Sequence, residues 1–222
     1  MSRSSPPSPI VAYCERAIVQ APAEPRGTLL EQAGEMRLAP DRPWMPFTAV
    51  QSIAATRTEF HWHARCKMAP WVTAVVDDGY QNGRGRLDAR LWGVVPLAHG
   101  RGLAIDRGER QRYLAELAWC PSAMLHNPQL QWRVIDEQTV RTWIDDETVH
   151  MDLSFDAEGD IVAARTDKRA RDKHLEQPWE GRFFDYQLFE GLRAPAAAEV
   201  AWGTPGAPYV YWRGRLTSLR WA

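Results

Sequence analysis

From Thr28 to the C-terminus, apolar and polar residues alternate with a period of two, and a single stretch breaks that rhythm. Successive side chains of a strand point to opposite faces, so this alternation predicts strands that bury one face. Leu30, Gly34, Met36 and Leu38 share a face within 28–38; Phe60, Trp62, Ala64 and Cys66 share one opposite Glu59, His61, His63 and Arg65. Trp71–Val76 runs into Asp77-Asp78-Gly79 and then Gln81-Asn82-Gly83, read as one extended turn. Leu87, Ala89 and Leu91 alternate beyond it, which predicts a hairpin from Trp71 to Trp92. Further strands are expected over 130–136, 139–144, 149–155, 161–165, 181–189, 199–202 and 209–221.

The break is Arg107–Trp119, which has no proline and no β-branched residue. Tyr113, Leu114, Leu117 and Ala118 fall on one helical stripe, Gly108 or Asp106 can cap its start, and Pro121 marks its end. This predicts one main helix at about 108–119. A short helix over Val11–Gln20, stopped by Pro22 and Pro25, follows a Ser/Pro-rich tail over 1–9 that is expected to be disordered.

About ten or eleven strands cannot stay flat and open, and hairpin-length connections imply antiparallel pairing. The expected fold class is therefore mainly β (α+β): one curved antiparallel sheet, or half-closed barrel, wrapped around the main helix. Residues 10–222 are expected to form a single β-rich domain.

Composition narrows the function classes. Lys+Arg is 27 against 28 Asp+Glu, a net charge of −1, so no global basic footprint points to nucleic acid. The mixed-sign run of Arg165, Asp167, Lys168, Arg169, Arg171, Asp172 and Lys173 reads as a solvated hairpin or loop. Cys14, Cys66 and Cys120 are odd in number and lack CxxC spacing, which argues against a disulfide framework or a zinc knuckle and suits a reducing compartment. Residues 1–9 lack the apolar core of a secretory signal, and no apolar stretch reaches the ~18 residues of a membrane span. The expectation is a soluble cytoplasmic protein with no integral membrane segment and no cofactor.

Several phrases resemble an uncharacterised bacterial family known only as a domain of unknown function. They are Gly34-Glu-Met-Arg37, Trp44-Met-Pro-Phe47, Phe60-His-Trp-His-Ala64, Arg112-Tyr-Leu-Ala-Glu116 with Trp119-Cys-Pro121, Phe155-Asp-Ala-Glu-Gly159, Pro178-Trp-Glu-Gly181 and Tyr211-Trp212. The layout is also similar to the lipoprotein-carrier half-barrel (LolA/LolB-like). That similarity implies a hollow for an acyl chain or other apolar ligand, although those carriers are exported and residues 1–9 show no signal peptide.

Candidate sites each carry a functional and a structural reading. Eleven tryptophans can line an aromatic pocket or fill a wide sheet. Phe60, Trp62, Tyr113, Leu117 and Trp119 are the candidate ligand-binding residues where sheet and helix meet. His61 and His63 share a strand face and can bind a metal if a third ligand such as His150 arrives, but Glu59 and Arg65 mark that face as solvent-exposed. Arg112 and Glu116, four apart on the helix, are the candidate catalytic pair, with Glu116 as general acid or base near Trp119; the alternative is a structural ion pair. Gly83-Arg-Gly85 and Gly100-Arg-Gly102 are turns rather than dinucleotide fingerprints. Three functions remain open on sequence: binding an apolar small molecule or lipid, a structural or interaction domain without a pocket, and a small-molecule enzyme using Glu116 and Arg112.

Overall fold

The computed structural model describes residues 5–170, 175–203 and 206–222. Its first six strands are β1 (Gly27–Met36), β2 (Met45–Ala54), β3 (Phe60–Ala69), β4 (Val72–Gln81), β5 (Arg84–Leu91) and β6 (Val95–Gly100). Seven more follow: β7 (Leu130–Asp136), β8 (Thr139–Ile144), β9 (His150–Phe155), β10 (Ile161–Ala170), β11 (Glu176–Phe189), β12 (Leu192–Trp202) and β13 (Tyr209–Trp221). Three helices accompany them, α1 (Ser8–Ala17), α2 (Leu103–Ala115) and α3 (Pro121–His126), with a 3-10 turn over Glu116–Trp119.

All 13 strands belong to one antiparallel sheet in the order β6-β5-β4-β3-β2-β1-β13-β12-β11-β10-β9-β8-β7. Each neighbouring pair is consecutive in sequence except β1 and β13, which join two meanders along the centre. The sheet curls into a half-barrel. Helix α2, lying between the meanders in sequence, also lies between them in space: it touches β4 and β5 on one wing and β8, β9 and β10 on the other. Helix α1 packs on α3 and β12, where Tyr13 donates a hydrogen bond to Ala118 O at 2.9 Å.

Eleven strands fall where the alternation predicts them, and two more are added. In β2, Phe47, Ala49, Gln51 and Ile53 are buried in turn, but two small or polar residues and Pro46 hide the pattern. Strand β6 is an exposed edge holding Pro96, a residue that edges tolerate because one side of the ladder is unpaired there. The first hairpin is tighter than expected. Strand β4 runs straight through Asp77-Asp78-Gly79, and Asn82-Gly83 alone form the turn, with φ of 52° and 78°. Positive φ at both positions is the geometry that matches the twist of flanking strands.

The helical expectations shift in register. Helix α1 begins at Ser8 rather than Val11. Helix α2 is capped by Gly102 instead of Gly108 or Asp106, and Pro121 opens α3 rather than ending the helical run in a loop. Asp106 instead ties the helix to β5, where it accepts a hydrogen bond from the Gly85 N–H at 2.7 Å. A Cβ at position 85 would lie 2.7 Å from Ile105 O, so α2 can seat this close to β5 only over glycine. That seat presses the polar face of α2 into the hollow.

Candidate functional site

Helix α2 buries Tyr113, Leu114 and Ala115, as its apolar stripe demands, but it also buries Glu109 and Gln111, and Glu116 follows in the 3-10 turn. Glu109, Arg112 and Glu116 recur at three- and four-residue steps, which places them on one face. Opposite them, cross-strand pairing sets Gln51, Trp62 and Asp78 in a row over β2, β3 and β4.

The two sets interlock. Arg112 donates from Nε to Glu116 Oε1 at 2.8 Å and from Nη1 to Asp78 Oδ2. Gln51 donates to the second oxygen of Glu116. The guanidinium of Arg112 also sits over the rings of Trp62 and Phe60, 5.0 and 5.1 Å from their centroids. Burial alone would lower the proton affinity of Arg112, yet the carboxylates of Glu116 and Asp78 outweigh it and hold the charge firmly. Glu109 behaves in the opposite way. Burial, and then the neighbouring Asp78 carboxylate, push it well above the ordinary carboxyl range, which favours its neutral form. Asp78 Oδ1 and Glu109 Oε2 are both buried and have no hydrogen-bond partner.

Beside this cluster lies a cavity of about 250 Å³. Met36, Val76, Leu87, Phe183, Ala198 and Val200 form much of its wall, with Trp62, Trp119, Trp179 and Trp212 as the larger surfaces. Its polar lining includes Gln32, Asp78, Arg112, Glu116 and Arg169. Several rings are fixed by their N–H groups: Trp62 donates to Gln32 at 2.9 Å, Trp119 to Pro195 O at 2.9 Å, and Trp179 to Tyr211 at 3.1 Å. A ring so anchored presents a rigid face.

The structure brings together Arg112, Glu116, Trp62 and Trp119 from the expected set at this cavity. Phe60 lies behind, against Arg112. Tyr113 and Leu117 turn the other way into the core; Tyr113 donates to Ala54 O at 3.1 Å and accepts from Asn127 at 3.0 Å. His61 and His63 stand apart, their ring nitrogens 3.1 and 2.9 Å from Asp77 Oδ1. His150 does not join them: it is buried on β9 against Glu147 O at 3.0 Å. Among the described residues, no group of three or more His, Cys, Asp or Glu side chains is placed to hold a metal.

Five polar residues of the site escape the sequence reading, among them Gln32 on β1. Asp78 was hidden in a turn signal, although its phase with Val76 and Tyr80 points inward. Gln51 lay in the unrecognised β2, and Glu109 falls off the apolar stripe of the helix. Arg169 sat in the mixed-sign run, which is not uniformly solvated: Arg169 is buried, while Arg171, Asp172 and Lys173 lie outside the described residues. A register shift between Thr166 and Arg169 breaks the two-residue phase there, so no periodic signal could have exposed it.

Comparison with known proteins bears on this arrangement. The model of a family of unknown function, DUF6544, matches residues 4–214. The chain belongs to that family. Among curated proteins, none matches this DUF6544 chain. Among solved structures, a Vibrio parahaemolyticus protein described as an outer membrane lipoprotein-sorting domain has 8% identity and a TM-score of 0.52, over 96% of this chain and 90% of that one. A LolA-superfamily protein from Nitrosomonas europaea has 9% identity and a TM-score of 0.46, covering 95% and 92%. A DUF1329 protein from Desulfovibrio piger has 10% identity and the same TM-score, covering 97% and 94%.

At such identity the Vibrio structure shows a shared fold. The cytoplasmic expectation is corrected here, because the fold is shared with a protein that is itself described as an outer membrane lipoprotein-sorting domain. No helix among the described residues is long and apolar enough to cross a membrane.

Proposed function

We propose that this DUF6544 protein binds an apolar small molecule or lipid in the hollow between α2 and the curled sheet. The observation that carries this reading is the cavity of about 250 Å³, walled by aliphatic side chains and by tryptophans whose N–H groups are already committed. Its size is near the low edge of the ~300–1,000 Å³ usual for ligand sites, which favours a small molecule or one chain of a larger one. The Vibrio neighbour is by its description a lipoprotein-sorting domain, and lipoproteins carry a lipid group. That analogy of fold agrees with the reading without replacing the chemistry of the walls.

Trp62 and Trp119 are the ligand-contacting members of the expected set, and Phe60, Tyr113 and Leu117 hold them and the helix in place. Arg112 and Glu116 serve as a fixed charged border rather than as acid and base. Both are tied to each other and to Asp78 and Gln51, an arrangement suited to holding charge. The cavity also speaks against a domain without a pocket.

The test is titration with the neutral fluorophore N-phenyl-1-naphthylamine. Wild type should give saturable fluorescence enhancement, and Ala198→Phe, which fills the cavity from β12, should abolish it while circular dichroism stays unchanged. Failure of wild type to bind the dye, or undiminished binding by a folded Ala198→Phe, would overturn the reading.

A further inference from the structure

We propose that the apolar molecule held in this cavity carries an anionic group, and that Arg169 is the residue that receives it. This inference rests on the binding reading above and adds the ligand's polar end.

Arg169 comes from β10, on the wing opposite Gln51 and Asp78, and it lines the cavity. Its residue surface is only 7% exposed. The guanidinium lies 4.6 Å from the centroid of the Trp179 ring, with Trp179 itself lining the cavity and held by Tyr211. A guanidinium lying over a ring keeps its N–H donors in its own plane, so that contact leaves Nη1 free to meet an acceptor. Nη1 is buried and has no hydrogen-bond partner, and among the described residues the Arg169 side chain enters no ion pair.

The contrast with Arg112 shows how unusual this is. Arg112 has Glu116, Asp78 and two rings around it. Glu109 feels the charge of Arg169, but no ion pair joins the two, and burial pushes its carboxyl toward the neutral form. A buried guanidinium nitrogen without an acceptor is costly, because water is lost and nothing replaces it. An acid from outside the chain would supply the missing partner. The planar fork of an arginine matches a carboxylate with two parallel hydrogen bonds, and it also takes phosphate oxygens. The remaining wall, including Phe183, Val200 and Leu87, would take the apolar part. The ligand class is therefore a small amphiphile with an anionic head, its head at Arg169 and its tail along the wall.

The experiment is competition against N-phenyl-1-naphthylamine by octanoate, octyl phosphate and octan-1-ol, on wild type, Arg169→Met and Arg169→Lys. On wild type, one of the two anions should compete at least tenfold better than the alcohol; which one does so identifies the head as carboxylate or phosphate. Arg169→Met should bind the dye as wild type does but lose that preference, and Arg169→Lys should retain part of it. Equal competition by all three on wild type overturns the proposal while leaving the binding reading intact. An unchanged preference in folded Arg169→Met does the same. No dye binding by wild type removes the underlying reading itself. Should Arg169→Met fail to fold, the wild-type comparison and the Lys variant still decide the matter.

Discussion

Arg112 and Glu116, one turn apart, meet through an N–H···O contact of 2.8 Å while both side chains are largely buried. The same guanidinium reaches across the hollow to Asp78 on β4, so it fastens the helical segment to the sheet. Removing a buried ion of this kind leaves its partners charged and unpaired, which costs about 3–5 kcal/mol. Arg112→Ala is therefore expected to lower unfolding stability by about that much. Arg215→Ala, which breaks a pair with Asp185 between two exposed side chains, should stay within about 1 kcal/mol. Urea unfolding of both variants makes the comparison, and similar losses would refute it.

Glu109 supplies a pH dependence. Its carboxyl titrates well above the ordinary range in the folded chain, chiefly through burial and then through Asp78. The unfolded chain releases that proton near pH ~4.3, so between there and the raised folded value the native state binds more protons. Stability from this group is complete below that window and falls as pH rises through it, by at most about 1.4 kcal/mol per pH unit. Glu109→Gln cannot ionise. The variant's melting temperature should gain on wild type as pH rises from 5 to 8, and a constant difference would contradict the assignment.

Gly214 sits under the ring of Trp212. A Cβ there would come within 2.6 Å of Trp212 Cη2, and that ring packs on Phe47 at a centroid distance of 5.5 Å. Gly214→Ala should displace the indole from the cavity wall, destabilise by about 1–3 kcal/mol through overpacking, and weaken dye binding. Equilibrium unfolding and the fluorophore titration read the two effects separately.

The three cysteines are free and buried. Burial pushes the Cys14 thiol up to about 12 and the Cys66 thiol to about 11, and raises Cys120 as well. Since the thiolate is the reactive form, native protein at pH 8 should resist Ellman's reagent. Three equivalents should react after unfolding in guanidinium chloride. Rapid reaction of the native chain would show that at least one thiol is open to solvent.

Much of the fold was legible because the rule behind it is local. A strand turns alternate residues inward, so Phe60, Trp62, Ala64 and Cys66 announced their shared face without reference to anything distant. The stripe of Tyr113, Leu114, Leu117 and Ala118 announced the helix in the same way, and the curl followed from the number of strands. Part of the site was visible too. Arg112, Glu116, Trp62 and Trp119 stood out as residues where sheet and helix had to meet.

What tertiary structure alone decided is which polar residues go inside. Asp78, Gln51, Glu109 and Arg169 are hydrophilic by any local measure. They come inward because α2, seated over Gly85, brings charges that need partners, and because the shift in β10 turns Arg169 away from its phase. The alternation of one chain determined the curved sheet and its helix. The balance of charge inside the hollow is a sum over both wings and α2, and it exists only once the sheet has closed around them.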